Sequence, residues 1–402
     1  MGWGREFPVH GPTRWSEGPS PRARLGPMTG HLTSPDRVSH ASKAAAEGGI
    51  DALLVTPGPD LRWLTGYDAL PLERLTCLVL PTAGEPFLVA PALEVPAVLA
   101  SPVPDLGVEV VGWGETDDPY AVIAARLANP SRVALANRMW AEQVLRMRAA
   151  LPGAEQTLAS EVIGDLRIRK SPEEVAALRR AGQAIDRVHA RMGEFLRPGR
   201  TEREAGRDIA RAILDEGHVT VDFVIVGSGP NGASPHHEVG DRVLESGDVV
   251  VIDIGGTTAE GYCSDCTRMY TLGEPPPEFV DYFRVLHDAQ LAACAHARPG
   301  VTAESVDAAA RRVIADAGYG AHFIHRTGHG IGVETHEEPY IVEGNGRMLE
   351  AGMAFSIEPG IYLAGRHGAR IEDIVVATDN ADGRPGIERL NTTDRDYVVL
   401  ED

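Results

Sequence analysis

Apolar positions along this chain recur at two different periods, and the switches between them predict a mixed architecture of helices and strands. Ser34-Pro35, then Arg37, Val38 and an alanine-rich run to Glu47, predict a helix that stops at Gly48-Gly49. The apolar run Asp51–Val55 predicts a strand. Arg74–Leu80 and Pro86–Ala90 predict two more, joined by a hairpin turn over Thr82–Glu85. Helical patterns at Ala92–Ala100 and Tyr120–Ala128 flank a further strand at Val108–Val111. The alternation predicts an α/β domain over residues 34–165, and no catalytic grouping stands out within it.

A second domain is expected over residues 170–402. Its first helix is announced by Ser171-Pro172-Glu173-Glu174, a serine cap with proline in the first turn and a glutamate placed to close a capping box. Val175, Leu178, Ile185, Val188, Met192 and Leu196 carry the helical period onward. This domain also repeats itself. Arg197-Pro-Gly-Arg-Thr201 returns as Arg298-Pro-Gly-Val-Thr302, each copy followed by an Ala/Arg-rich helix that ends at Gly217 or Gly318. Phe223 and Phe323, His236 and His336, Asp253 and Glu358, and Asp265 and Glu372 follow in the same order. An ordered series of matches predicts two pseudo-symmetric halves with a polar site between them.

Composition narrows the function. The 402 residues contain 38 basic and 58 acidic side chains, a formal charge of −20, which disfavours nucleic acid or an anionic membrane surface as partner. No apolar run approaches the roughly 20 residues that would span a bilayer. Four scattered cysteines do not form a disulfide framework and fit a reducing, cytoplasmic setting. Residues 1–33, rich in Gly, Pro, Arg and Ser, are expected to be a disordered extension; they lack the apolar core of a secretory signal.

The candidate chemistry lies in the second domain. Asp253 interrupts the apolar run Val249–Ile254, where an unpaired carboxylate would be costly; a solvated place at the strand's mouth is the alternative. Asp265 lies in Tyr262–Arg268, expected to be a strand that a hairpin could fold back onto Asp253. His325 and His329 stand four apart beside glycines, and Glu358 and Glu372 adjoin further apolar runs. Two aspartates, two glutamates and a histidine beside strands have one simple reading, a two-metal site. Four carboxylates would balance two divalent cations, with a bridging hydroxide as nucleophile. Oxygen-rich ligation with one imidazole suits Mn, Co, Fe or Zn rather than a closed thiolate site.

The ordered set Asp253, Asp265, His329, Glu358 and Glu372 resembles the metal ligands of the pita-bread metallopeptidases, which include methionine aminopeptidase, aminopeptidase P, prolidase and the metal-free creatinase. The stretches Asp253-Ile-Gly255, Ser264–Arg268, Thr327–Gly332, His336–Pro339, Ser356–Gly360 and Arg370–Asp373 carry the resemblance. Asp60-Leu-Arg-Trp-Leu-Thr-Gly-Tyr67 is similar to the N-terminal domain of the prolidase and aminopeptidase P branch. The resemblance implies an α+β pita-bread domain preceded by a smaller α/β domain, two divalent ions with manganese foremost, and a homodimer. It also implies hydrolysis of Xaa-Pro peptide bonds in small peptides, as a dipeptidase or an aminopeptidase. His236, His325, His336 and Arg370 match that branch's active-site positions, and Glu358 would shuttle a proton to the leaving nitrogen. Arg370 would hold a ligand carboxylate or bind substrate. A metal-dependent amidase acting on a small non-peptide C–N bond is the alternative.

Three features have plainer readings. Cys263 and Cys266, three apart on an expected strand, point to opposite faces and do not make a thiol pair. Gly227–Gly232 lacks the Lys-Ser/Thr of a phosphate loop and reads as a turn or substrate loop. His237 competes with His236 for the substrate-facing role.

Overall fold

The short apolar runs of the first domain must pair, because each is too brief to be stable alone. In the computed structural model, which describes residues 32–379 and 383–401, they form β1 (Ala52–Val55), β2 (Cys77–Pro81), β3 (Phe87–Pro91), β4 (Glu109–Trp113), β5 (Arg132–Leu135) and β6 (Glu155–Leu158). The resulting sheet has the order β4-β3-β2-β1-β5-β6. The β1–β2 and β2–β3 pairs are antiparallel; the other three are parallel. The predicted first helix is Pro35–Glu47, capped by Ser34. The expected helix over 92–100 is confined to Val95–Leu99, since the chain first turns at Pro91–Glu94. The expected extension over 1–33 lies almost wholly outside the described residues.

The second half of the chain supplies β7 (His218–Ser228), β8 (Val249–Thr258), β9 (Cys266–Leu272), β10 (Gly328–Gly330), β11 (Glu337–Ile341), β12 (Ala354–Ile357), β13 (Gly360–Leu363), β14 (His367–Arg370), β15 (Asp373–Asp379), β16 (Pro385–Arg389) and β17 (Val398–Leu400). They form the sheets β17-β9-β8-β7 and β11-β10-β12-β15-β16, with β13-β14 as a separate hairpin. The internal repeat is visible in the backbone. Gly199 and Gly300, both at φ 88°, donate to the carbonyls of Leu244 and Leu349 at the same 2.9 Å. Glu202 and Ala303, each starting a helix of 14 residues, donate to Arg242 and Arg347.

Strand periodicity then sorts the side chains of β8. Val250, Ile252 and Ile254 pack with Ile209 and Ile213 of the helix Glu202–Asp215. Val249 and Val251 pack with Phe355 and Ile357 of the second half. Asp253 continues this second series, so it is carried on the face between the halves and in the body of the strand, not at a solvated mouth. Two expectations are corrected. Tyr262–Arg268 becomes strand only from Cys266, because Ser264 Oγ takes the Gly256 N–H and bends the chain there. The helix from residue 172 ends at His189; the chain turns at Ala190–Arg191 so that Met192, Phe195 and Leu196 join the core.

The capping box at Ser171 forms as predicted, with Ser171 N–H donating to Glu174 Oε2 at 2.8 Å. The other carboxylate oxygen of Glu174 does more. It accepts from Trp63 Nε1 at 2.8 Å and Tyr262 Oη at 2.6 Å, and it pairs with Arg37 at 3.1 Å. One buried glutamate thus ties the first domain to the second. Ser171→Ala should cost about 1 kcal/mol as a lost cap. Glu174→Ala should cost about 3–5 kcal/mol, because it strands a largely buried arginine and two donors. Urea unfolding checks both; equal losses would contradict the tie.

Candidate metal centre

Each acidic residue of the predicted set is delivered by a strand or its end. Asp253 lies on β8 opposite Thr267, Asp265 immediately precedes β9, His329 is the middle of β10, Glu358 follows β12 and Glu372 precedes β15. The Gly328-His329-Gly330 sequence has a steric cause. A Cβ at residue 328 would lie 2.0 Å from the Ser356 carbonyl oxygen, and one at residue 330 would lie 2.2 Å from that of Glu338. Only glycine lets the neighbouring strands close on both sides of the histidine. His329 Nδ1 faces the Gly330 carbonyl at 3.1 Å, leaving Nε2 directed at Glu358 (3.1 Å) and Asp265 (3.5 Å).

All five predicted ligands meet. Ligand atoms of Asp253, Asp265 and Glu372 lie within 4.8 Å of one another, as do those of His329, Glu358 and Glu372. Those of Asp265, His329 and His336 make a third such group. Asp253 Oδ1 and Glu372 Oε1 are buried without any hydrogen-bond partner. Their other oxygens are held, Asp253 Oδ2 by Arg370 Nη2 at 2.5 Å and Glu372 Oε2 by Thr267 Oγ1 at 2.8 Å. Two orphaned anionic oxygens facing a shared space, with their partners already braced, fit a divalent cation by both charge and donor type.

The electrostatics agree. Burial raises Asp253 from its ordinary value, and Asp265 and Glu372 well above theirs. For Asp265 the charges of Glu372, Asp253 and Glu358 add to the shift. Burial pushes Glu358 the same way, but the hydrogen bond and charge of His329 outweigh it and bring Glu358 to about 2. Desolvation, then the neighbouring His329, lower His336 to about 4, so its ring is neutral across the ordinary pH range. That ring meets His329 edge-on, with centroids 4.0 Å apart.

The remaining predicted residues surround this cluster. A cavity of about 360 Å³ is lined by the acids together with Phe223, Val224, Ile225, His236 and His237. A second cavity of about 530 Å³ shares His236, His329, His336, Glu358 and Arg370 and extends past Ile324 and Arg326. His236 is exposed, whereas His237, which lines the same cavity, is engaged by buried Glu202 at 2.7 Å. Arg370 is buried and committed to Asp253, Thr267 and Tyr362, which favours holding a ligand over binding substrate. Both ring nitrogens of His325 are also engaged, Nδ1 by the Arg326 carbonyl at 2.7 Å and Nε2 by Tyr362 Oη at 2.9 Å.

Sequence reasoning missed Thr267, Ser356 and Tyr362. Thr267 was within reach, since two residues beyond Asp265 on a strand is the same face. Ser356 Oγ accepts the His329 N–H and donates to Glu358, each at 2.9 Å, and Tyr362 links His325 to Arg370; neither has a local signal. Cys263 and Cys266 are both buried, against Thr257 and the Glu372 carbonyl respectively, and do not pair. Gly227–Gly232 is a structural turn: Ser228 and Asn231 bond Glu202 there.

Residues 176–379 match the profile described as Metallopeptidase family M24, and residues 37–169 match that of the Creatinase/Prolidase N-terminal domain. "Probable dipeptidase PepE" of Mycobacterium tuberculosis is 53% identical over 365 residues, covering 90% of this chain and 96% of that protein. An "Xaa-Pro dipeptidase" of Lactobacillus delbrueckii subsp. lactis is 36% identical over 362 residues, covering 88% and 96%. The crystal structure of dipeptidase PepE from Mycobacterium ulcerans superposes with a TM-score of 0.87 at 51% identity, over 91% of this chain and 98% of that one.

Folding raises the pKa values of Asp253, Asp265 and Glu372, so these groups favour the fold below the ordinary carboxylate range. That contribution is lost as pH climbs through the raised values. The chelated protein should therefore lose thermal stability as pH rises above the ordinary carboxylate range, and manganese should restore it while releasing protons. Melting curves test the first effect, and calorimetry in buffers of different ionisation enthalpy tests the second. Proton-neutral binding would contradict this account of the cluster.

Proposed function

The chain belongs to Metallopeptidase family M24, and from that premise we propose that it hydrolyses the bond before proline in Xaa-Pro dipeptides, using two divalent ions. The observation that carries this reading is the meeting of Asp253, Asp265, His329, Glu358 and Glu372 in the lining of a cavity, with two carboxylate oxygens left unpartnered. The name of the 36% identical relative favours proline at the second position, and the dipeptidase names of both relatives favour a dipeptide. Manganese is the ion we assign, from the preponderance of hard oxygen donors. Held by those five residues, the ions would lower the pKa of a shared water and polarise the scissile carbonyl.

The chain's own residues do the rest. Glu358 takes the proton of the attacking water and delivers it to the proline nitrogen. That nitrogen belongs to a tertiary amide and leaves only when protonated. Neutral His336 and exposed His236 line the cavity to hydrogen-bond the developing oxyanion or the substrate backbone. Arg370 fixes Asp253, and Tyr362 passes that restraint to His325, so both act by positioning. Phe223 and Ile225 give the side chain of the first residue an apolar wall.

Ala-Pro and Ala-Pro-Ala-Ala, each assayed with manganese and after chelation, test the reading. We expect alanine release from Ala-Pro in preference, abolished by chelation; a preference for the tetrapeptide would assign an aminopeptidase instead. Glu358→Gln should lower kcat by about 10²–10⁴. His329→Ala should abolish turnover, and wild-type rates in that variant would overturn the site.

A further inference from the structure

The stretch Asp60-Leu-Arg-Trp-Leu-Thr-Gly-Tyr67 has a specific use in the fold that the chemistry above does not absorb. Its helix, Pro59–Thr65, lies against the second domain, and three of its side chains bind that domain or the connection leading into it. Trp63 reaches Glu174, Asp60 Oδ1 receives Arg167 Nη1 at 2.6 Å, and Arg62 Nη2 donates to the Val333 carbonyl. Val333 lies three residues before His336, in a segment between β10 and β11 that has neither helix nor strand to shape it.

The same segment is held at further points. Glu334 receives Arg138 of the first domain and, at 2.7 Å, Arg167 Nη2. Glu337 receives Arg167 again and Lys170 Nζ at 2.6 Å. Arg167, Lys170 and Glu337 are buried, with side-chain exposures of 9%, 2% and 8%. The chain on both sides of His336 is thus clamped by four cations, one on the Val333 carbonyl and three on the carboxylates of Glu334 and Glu337. Three of them, Arg62, Arg138 and Arg167, lie within residues 37–169, the region that contributes nothing to the acidic cluster. Buried ion pairs are weak contributors to net stability, since desolvation offsets their attraction; what they do well is select one geometry.

We propose that Arg62 and Arg167 are positioning residues: they fix segment 331–337, and through it they place the His336 imidazole beside His329 and the cleft. The first domain then takes part in catalysis without touching substrate, by setting where a rim histidine stands. The effect on turnover rests on the reading of His336 given above; the effect on the segment does not.

Two measurements on the full chain test this. Hydrogen–deuterium exchange of Arg62→Met should show amides of 331–337 exchanging faster by about tenfold or more, with β8 unchanged. On Ala-Pro, the same substitution should lower kcat/KM by roughly 10–100-fold, the scale of a misplaced catalytic contact. In a His336→Ala background it should cost nothing further, because the residue through which it acts is gone. Arg62→Lys should recover part of the loss. Should Arg167→Met fail to fold, Arg62→Met, which strands one carbonyl and frees the exposed Asp68, carries the test alone. Unchanged exchange over 331–337, or losses that multiply in the double variant, would overturn the proposal. If the wild type cleaves no Ala-Pro, the Xaa-Pro reading falls while exchange still decides the clamp: faster exchange upholds it and unchanged exchange ends it.

Discussion

Like charges brought together out of water dominate this molecule. Asp253, Asp265, Glu358 and Glu372 converge from different strands: ligand atoms of Asp253, Asp265 and Glu372 lie within 4.8 Å of one another, and Glu358 is as close to Glu372. Two unit charges about 4 Å apart interact by roughly 4 kcal/mol at an effective dielectric of 20, so four carboxylates cannot all be ionised there unaided. The rest of the site follows from that constraint. Arg370 and Thr267 each restrain one oxygen of a carboxylate and leave the other bare. Ser356 and the glycines around His329 bring the imidazole close enough to depress Glu358 while its neighbours are driven upward. The outcome is one ionised base among acids that wait for a counter-charge, an acid–base division produced by environment rather than residue type.

Outside this cluster, the same economy of buried charge joins the domains. Glu174 collects a tryptophan, a tyrosine and an arginine on one oxygen, while Arg167 gathers Asp60, Glu334 and Glu337. Neither arrangement is an efficient source of stability, because each desolvates ions that water would hold well. Each does make the relative placement of the domains discrete, since a shift would unpair several groups together.

The readable parts of the sequence were those where local chemistry leaves few choices. Ser171 and Glu174 spell a capping box within four residues, and Asp253 within an apolar run demands a compensating partner. The repeat was readable because it sets two aspartates against two glutamates in order. Illegible were the pairings that span the chain. Arg167 with Asp60 and with Glu337, or Tyr362 with His325 and Arg370, look in sequence like any solvated charge or packed aromatic. Strand limits misled for a related reason: Ser264 spends its hydroxyl on Gly256 rather than extending the strand, a choice made by tertiary contact. Likewise illegible was the hold of buried Glu202 on His237, 35 residues downstream.

The division of the acidic residues between the two halves has a consequence for the protein's life in a cell. The first half supplies Asp253 and Asp265; the second supplies His329, Glu358 and Glu372. Neither half holds a complete set, so any cation seated there works as a rivet across the seam between them. Its binding energy becomes cohesion of the fold. Starved of metal, the chain would lose that cohesion where the carboxylates meet. Its abundance, and not only its activity, would then follow the supply of the ion.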